Sequence, residues 1–299
     1  MISESVQGEP APALRPFVAP YAGYRQVGVP PARHRGLPSP YLTLIITLDE
    51  PMQMAEHTDR RRPPGEYVTL IGGLHTIPAI ISHDGRQSGV QLALKPLGAR
   101  ALLGLPACEL TGVDTDAADV LGPLAVEMQE RARAAATWPE RFAVLDELLL
   151  RQLRDRQLRD GRLGNGQLRD GRAGSPEVTQ AWRALLASGG TAAVPELARE
   201  AGWSPRRLHT RFRAEVGLAP KEAARVVRFD RARRLLQRRV QAAGQPELAA
   251  LAAACGYYDQ AHLAREFRAL AGCPPSRWVA EEFRNVQARP GERQADSRS

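Results

Sequence analysis

Cysteine is scarce in this chain of 299 residues: only Cys108, Cys255 and Cys273 are present, and they form no C-x-x-C pair. An odd and widely spaced set predicts neither a disulfide framework nor a zinc finger, and it favours a reducing compartment. No apolar run approaches the about 20 residues that a membrane-spanning helix needs. The first residues also lack the basic and apolar regions of a secretory signal. We therefore expect a cytoplasmic protein with no membrane partner.

Motifs of common catalytic centres are also missing. The chain has no Ser-His-Asp order and no glycine-rich phosphate loop, and we interpret Cys108 as buried and inert. His209 and His262 lack the spacing of metal ligands. The other histidines stand singly, without the H-x-H pair of a metal-binding cupin barrel, and are interpreted as loop or surface residues: His34, His57, His75 and His83. We accordingly predict no enzyme, no metal and no other cofactor.

Positive charge is concentrated near the C-terminal end. The chain carries a net charge of +8, and residues 202–284 alone hold 16 basic against 8 acidic side chains, so this segment accounts for the whole surplus. Localised basic charge in a globular segment favours a polyanionic partner such as nucleic acid. A solvated basic face is the alternative that charge alone leaves open.

The first part of the chain predicts strands and then helices. Short β-branched and aliphatic runs, bounded by proline, glycine and aspartate, cover 41–48, 67–71, 77–82 and 89–94. Such strands at near-regular spacing predict a sandwich or a barrel. Helical spacing follows at 97–105, 117–136 and 140–153.

The sequence Gln-Leu-Arg-Asp then recurs with a period of five residues, interspersed with glycine, within 151–172. Five residues advance a helix by about 500°, so Leu153, Leu158 and Leu163 cannot line one face. We interpret the segment as a linker whose start is helical. The predicted division is a sensor or dimerisation domain at 1–150, a linker at 151–175, a helical domain at 176–285 and a disordered tail at 286–299.

The helical domain contains an internal repeat. Leu208, Phe212, Gly217 and Pro220 each recur 55 residues later in the sequence. Each copy has a short helix, a glycine that permits a left-handed turn, an N-capping serine or aspartate, and a longer amphipathic helix. This order is typical of a helix-turn-helix, in which the second helix enters the major groove of DNA.

The outward faces of the two longer helices carry the candidate DNA contacts. At about 100° per residue, these side chains lie opposite the buried leucines or on the flanks of that face. The predicted base-reading residues are Arg206, His209, Thr210, Gln260, His262 and Arg265. Arg207 and Ala261 are the other predicted DNA-binding residues of these two segments. Arg213 and Arg268 lie one turn further on and are better placed for phosphate.

A long helix over 221–241 would span about 30 Å, close to the ~34 Å between successive major-groove faces. Its predicted buried stripe consists of Val226, Phe229, Ala232, Leu236 and Val240. The arginines predicted to face away from this stripe are Arg225, Arg228, Arg231, Arg234 and Arg238.

Residues 196–278 resemble the DNA-binding domain of the AraC/XylS family of bacterial transcription regulators. The second copy carries the family's most specific segment: Gly256, Tyr257, Asp259, Gln260, Leu263, Phe267, Arg268, Gly272, Pro275 and Trp278. The resemblance implies base contacts by Arg206, His209 and Thr210 in the first motif, and by the positions of Ala261, His262 and Arg265 in the second. Because Ala261 offers no hydrogen bond and Val279 replaces a commonly basic residue, the second motif is expected to read fewer bases. The N-terminal order is similar to that of family members whose cupin-like barrel binds a small effector, dimerises, or both.

We therefore predict an α+β fold, with a cupin-like β-barrel or sandwich and flanking helices followed by an all-α domain bearing two helix-turn-helices joined by a long helix. The predicted function is sequence-specific transcription regulation on double-stranded DNA. A small-molecule effector, a homodimer and, for an activator, RNA polymerase are the further partners. Two alternatives stay open: a metal-dependent cupin-type enzyme with a helical accessory domain, and a non-specific architectural DNA binder.

Overall fold

The computed structural model describes residues 2–163, 174–243 and 247–282. Within these ranges a β-sheet-rich N-terminal domain precedes a helical C-terminal domain, as the sequence predicts. The later part of the predicted linker, residues 164–173, and the predicted tail at 286–299 lie outside the described residues.

The N-terminal domain is built from two antiparallel sheets. Its strands in the described residues are β1 (Ile2–Gly8), β2 (Tyr21–Val27), β3 (Ala32–Gly36), β4 (Leu42–Thr47), β5 (Met52–Glu56), β6 (Gly65–Tyr67), β7 (Thr69–Gly72), β8 (Ala79–His83), β9 (Arg86–Leu94) and β10 (Asp114–Asp116). One sheet has the order β1-β2-β9-β4-β7-β10, and the other has the order β3-β8-β5-β6. Ile45 and Leu70 of the first sheet share a small buried cluster with Met54 and Ile81 of the second. The predicted barrel or sandwich is thus a pair of facing sheets and not a closed barrel.

Helices follow the strands along the chain. Those in the described residues are α1 (Ala99–Leu103), α2 (Ala118–Leu121), α3 (Pro123–Ala134), α4 (Trp138–Leu163), α5 (Pro176–Ala187), α6 (Val194–Glu200), α7 (Pro205–Val216), α8 (Pro220–Ala243), α9 (Leu248–Ala254), α10 (Gln260–Ala271) and α11 (Pro275–Glu282). Short 3₁₀ turns at Pro12–Leu14, Pro96–Gly98 and Ala107–Leu110 complete the secondary structure of these ranges.

Helix α4 holds the N-terminal sheet and then continues into the predicted linker. The Asp146 carboxylate accepts hydrogen bonds from the Tyr21 hydroxyl at 2.6 Å and from the backbone N–H of Ala11 at 3.0 Å. Burial and this carboxylate raise the pKa of the Tyr21 phenol far above its usual value. Further along, Leu153 is buried whereas Leu158 is 61% exposed. The five-residue spacing therefore turns these leucines to different faces, as the helical geometry predicts.

The two domains share one apolar core that reaches from the six-stranded sheet to the helix-turn-helix residues. The Glu215 carboxylate at the end of α7 accepts hydrogen bonds from the backbone N–H and hydroxyl of Ser175, which ties α7 to the start of α5 within the helical domain. Between the domains, Arg35 of β3 and Glu281 of α11 form an ion pair at 2.9 Å. The C-terminal end of α7 lies against the turn at Ala107–Leu110. The C-terminal end of α7 is therefore held by other parts of the protein, whereas Arg206 and Arg207 at its N-terminal end are exposed to solvent.

Two glycines in left-handed turns of the helical domain differ in their surroundings. Gly190 has φ +82°, and a Cβ there would lie 2.2 Å from the carbonyl oxygen of Ala224 in α8. Gly202 has φ +65°, but a Cβ there would have no neighbour within 4 Å. Of these two positions, Gly190 needs a glycine both for its backbone conformation and for its close approach to α8, whereas Gly202 needs one for its backbone conformation alone.

We predict that Gly202→Ala lowers the free energy of unfolding by about 1–2 kcal/mol, because only the left-handed conformation is penalised. Gly190→Ala should cost at least about 1 kcal/mol more, since overlap with α8 adds to the same penalty. Urea unfolding followed by circular dichroism measures the two losses. Equal losses for the two variants would contradict the close packing at Gly190.

Candidate DNA-binding interface

The first helix-turn-helix consists of α6, a turn at Gly202 and α7. The Ser204 hydroxyl caps α7 by accepting a hydrogen bond from the backbone N–H of Arg207 at 3.3 Å, which satisfies a donor that the first helical turn leaves unpaired. Pro205 stands at the first helical position, where its missing N–H costs nothing. The serine, the proline and the glycine each take the role that the sequence predicts.

The second helix-turn-helix consists of α9, a turn at Gly256 and α10. Gly256 has φ +72°, which matches the left-handed turn at Gly202. The Asp259 carboxylate caps α10 by accepting a hydrogen bond from the backbone N–H of His262 at 2.6 Å. A charged cap also interacts favourably with the positive end of the helix dipole. Both copies of the sequence repeat therefore form the same supersecondary unit.

The buried faces of α7 and α10 determine which side chains point outward. Leu208, Phe212 and Val216 of α7 are fully buried. In α10 the equivalent Leu263 and Phe267 are also fully buried. The side chains opposite these stripes point away from the core, because each residue advances a helix by about 100°.

The predicted DNA-binding residues lie on these outward faces. Nine of the ten are exposed: Arg206, Arg207, His209, Thr210, Arg213, Gln260, Ala261, Arg265 and Arg268. The tenth, His262, is half-buried, since its ring packs perpendicular to the Tyr257 ring at a centroid distance of 5.2 Å. Its Nδ1 atom accepts a hydrogen bond from the backbone N–H of Tyr258 at 3.4 Å. The ring of His262 is therefore held by the turn that precedes α10.

Ion pairing separates two groups of arginines in the helical domain. Arg211 pairs with Glu215 within α7, and Arg225 pairs with Glu266 at 3.0 Å across α8 and α10. In contrast, the predicted interface arginines form no ion pair among the described residues: Arg206, Arg207, Arg213, Arg265 and Arg268. Their charge is therefore available to an external anion.

The long helix α8 differs in part from its sequence prediction. Phe229, Ala232 and Leu236 form the predicted buried stripe. The prediction that Arg225 and Arg228 face away is wrong. The Arg225 side chain pairs with α10, and the guanidinium of Arg228 lies 5.5 Å from the Tyr257 ring centroid. Both side chains are half-buried and contact neighbouring parts of the helical domain.

An exposed aromatic side chain beside the second recognition helix was not among the predicted interface residues. Tyr258 is 93% exposed and lies in the turn between Gly256 and the α10 cap. A large apolar ring that is almost fully solvated in a helix-turn-helix turn stands at the edge of the candidate interface. Because Tyr258 directly precedes the capping Asp259, the sequence could have predicted that it lies in the exposed turn before α10.

A cavity of about 140 Å³ lies between the two sheets of the N-terminal domain, and we call it the sheet cavity. Its walls include Met52, Met54 and Ile81, together with the polar side chains of His34 and Gln91. Arg233 of α8 also lines it. A residue of the helical domain thus reaches the interior of the N-terminal domain, which the sequence analysis did not foresee.

The prediction that the four single histidines are loop or surface residues is wrong for two of them, which are buried. His34 is 3% exposed and His57 is 1% exposed. His34 lies on β3, and His57 follows β5 and forms a buried pair with Asp114 through its Nδ1 atom at 2.6 Å. Asp114 also accepts a hydrogen bond from the Thr58 hydroxyl at 2.7 Å. This buried network fastens the segment after β5 to the edge strand β10.

The described residues do not contain a cluster of three or more histidine, cysteine, aspartate or glutamate side chains that could hold a metal ion. Burial raises the pKa of the half-buried Cys108 thiol above its usual value, which disfavours the reactive thiolate. No helix in the part of the chain that the structure describes is both long and apolar enough to cross a membrane.

Two protein-family models match the chain. Residues 197–281 match a helix-turn-helix domain, and residues 7–116 match a domain of unknown function, DUF6597. The comparison with curated proteins gives no significant match.

Several solved structures are also similar to this chain. ToxT from Vibrio cholerae strain SCE256, with an unsaturated fatty acid bound, has a TM-score of 0.50 at 9% identity, over 92% of this chain and 97% of that chain. ToxT from Vibrio cholerae O395 has a TM-score of 0.47 at 10% identity, over 87% and 96%. An AraC-type transcriptional regulator from Chromobacterium violaceum is 26% identical over 39% of this chain and 96% of that chain, with a TM-score of 0.31.

The repeated, capped helix-turn-helix, the match over 197–281 and the two-domain order agree with one another. Residues 197–281 are therefore a helix-turn-helix domain of the AraC type, and the chain is a DNA-binding transcription regulator.

Proposed function

We propose that this regulator recognises specific DNA sites by inserting α7 and α10 into successive major grooves on one face of the duplex. The observation that carries the proposal is the pair of capped helices whose outward arginines are exposed and free of ion pairs among the described residues. Helix α8 has 24 residues and a length of about 36 Å. This length is close to the ~34 Å repeat of the major groove, so one chain can contact two half-sites.

The roles of the ten side chains follow from their type and position. Arginine, histidine, threonine and glutamine can hydrogen-bond base edges, and the Ala261 methyl group can contact a thymine methyl group. The base-reading set is Arg206, His209, Thr210, Gln260, Ala261, His262 and Arg265. The guanidinium of Arg207 lies 4.8 Å from the Trp203 ring centroid, and we assign it to the DNA backbone together with Arg213 and Arg268.

We further propose that the sheet cavity binds a small organic anion as the effector. Arg233 is paired with Asp230 at 2.7 Å, but its buried Nε–H has no hydrogen-bond partner among the described residues and would donate to the anionic group. The methionines would contact the apolar part of the ligand. A cavity of about 150 Å³ accommodates a ligand the size of benzene, so the effector is small. ToxT, which has this fold, has been solved with an unsaturated fatty acid bound, and this supports a small-molecule effector.

The effector would regulate DNA binding only if its affinity differs between the arrangements of the two domains. Arg233 gives such a difference a physical basis, because it lies on the helix that joins the two helix-turn-helices and also lines the sheet cavity. Homodimerisation and, for an activator, contact with RNA polymerase complete the proposal. The number and spacing of half-sites recovered from random DNA test the homodimer, and transcription with purified polymerase tests the second contact.

We expect Arg265→Ala to weaken binding to the selected DNA site by about 1–3 kcal/mol, while binding to scrambled DNA changes little. Fluorescence anisotropy with both duplexes at a fixed salt concentration measures the difference. Arg133→Ala is the matched control, because Arg133 is an exposed arginine of α3 in the N-terminal domain. Equal losses on the two duplexes would reassign Arg265 from the bases to the backbone.

Arg268→Ala should weaken binding to selected and scrambled DNA alike, because a phosphate contact carries no sequence information. The slope of log affinity against log salt concentration should fall by about one. Titrations at four or more salt concentrations determine the slope. A loss restricted to the selected site, with the slope unchanged, would contradict a phosphate role for Arg268.

Benzoate should raise the melting temperature of the wild-type protein by about 3 °C at ten times its dissociation constant. Benzamide, which has nearly the same shape without the charge, should give a much smaller increase. Arg233→Gln should remove the effect of benzoate, because it removes the positive charge from the cavity wall. An unchanged benzoate shift in Arg233→Gln would exclude Arg233 as the anion contact.

A further inference from the structure

A second and larger cavity lies where the two domains meet, and we call it the junction cavity. Its volume is about 490 Å³, which falls within the range of about 300–1,000 Å³ for small-molecule sites. The turn at Pro96–Gly98, α1 and α4 line it on the N-terminal side, and α5 lines it on the C-terminal side. It shares no lining residue with the sheet cavity.

The interior of the junction cavity is apolar. Leu153 of α4 and Trp182 of α5 are buried and line it from opposite domains. Phe17 and Leu97 are half-buried, and Leu186 is 37% exposed on the same cavity. Aromatic and aliphatic side chains on both sides suit a flat or elongated apolar group, because such a group would leave water on entering.

The charged side chains that line the junction cavity are all basic: Lys95, Arg100, Arg156 and Arg183. Two of them are tied to backbone oxygens, since Lys95 donates to the Arg15 carbonyl and Arg156 donates to the carbonyls of Leu102 and Leu103. Arg100 and Arg183 are exposed and form no ion pair among the described residues. With no lining aspartate or glutamate to balance it, this charge attracts an anion.

We propose that the junction cavity binds an amphipathic organic anion, such as an aromatic or aliphatic carboxylate or sulfonate. The apolar part lies against Trp182 and Leu186, and the anionic group lies at the solvent side between Arg100 and Arg183. This site is distinct from the effector site of the proposed function, whose volume of about 140 Å³ suits a ligand with one ring, whereas the junction cavity of about 490 Å³ also accommodates a two-ring or long-chain anion. Binding here does not depend on the proposed function.

The junction cavity lies directly behind the first recognition helix. The Trp182 ring that forms its wall also packs against the ring of Phe212 in α7, with centroids 6.0 Å apart. A ligand that contacts Trp182 is therefore one side chain away from the buried face of α7. An effect of the ligand on DNA affinity follows from this contact, and that consequence does rest on the proposed function.

The test uses 8-anilinonaphthalene-1-sulfonate, an aromatic sulfonate that fluoresces on leaving water, titrated into the full chain. We expect saturable binding at one site, and an at least about tenfold weaker affinity in the double variant Arg100→Ala with Arg183→Ala, because charge-assisted hydrogen bonds are lost. The neutral analogue N-phenyl-1-naphthylamine should bind both proteins equally. Arg133→Ala and Arg233→Gln should leave the affinity for the sulfonate unchanged.

A second variant fills the cavity without changing its charge. Leu186→Trp places a larger ring at a partly exposed position of α5 and should block both probes, while the melting temperature and circular dichroism spectrum stay close to those of the wild type. Saturating sulfonate should also change the wild-type affinity for the selected DNA site by at least about threefold, and Leu186→Trp should abolish this change. A failure of this DNA measurement alone would overturn the coupling and leave the binding site standing.

Three results would overturn the binding site. The first is wild-type affinity for the sulfonate in the double arginine variant. The second is undiminished binding of both probes in Leu186→Trp. The third is the absence of saturable sulfonate binding by the wild type.

Discussion

Burial of two apolar stripes in the helical domain determines which side chains can meet DNA. Leu208 and Phe212 in α7, and Leu263 and Phe267 in α10, are fully buried. Full burial of a side chain of this size stabilises a fold by about 1.5–3 kcal/mol. Rotating either helix by one residue would expose its stripe and bury an arginine without a partner, which is costly. The outward sets around Arg206 and Arg265 are therefore a consequence of the core.

The same core connects DNA recognition to the N-terminal domain. Helix α7 ends against the turn at Ala107–Leu110, and Glu215 fastens that end to Ser175. Helix α8 carries Arg233 to the sheet cavity, and Trp182 of α5 lies between the junction cavity and α7. A ligand bound in either cavity would contact side chains of both domains. Coupling between sites requires such differential contacts.

Local sequence patterns were sufficient to predict the helix-turn-helices. Their periodic leucines and phenylalanines, their turn glycines and the caps Ser204 and Asp259 all lie within about 20 residues of one another in each copy. The strand β1 was missed because its sequence, Ile-Ser-Glu-Ser-Val-Gln-Gly, is largely polar and its pattern of exposure is that of an edge strand. Strand β1 is formed by antiparallel pairing with β2, and its own composition does not predict this pairing.

Contacts between distant parts of the chain could not be predicted in this way. His57 is buried because Asp114, 57 residues further along, accepts its hydrogen bond. Arg225 turns inward because Glu266 lies 41 residues away in sequence but adjacent in space. A single sequence carries no direct signal for such pairs, and both cavities depend on contacts of this kind. The outward direction of the ten predicted DNA-binding side chains follows from helix geometry alone, and nine of these residues are exposed.

The most direct test of the central claim is hydroxyl-radical footprinting of the full chain on a DNA site selected from random sequence. Two recognition helices held by α8 on one side of the duplex should protect two patches on the same face, with centres about 10–10.5 base pairs apart for each bound chain. Protection of a single patch per chain, or of patches on opposite faces of the duplex, would contradict the account.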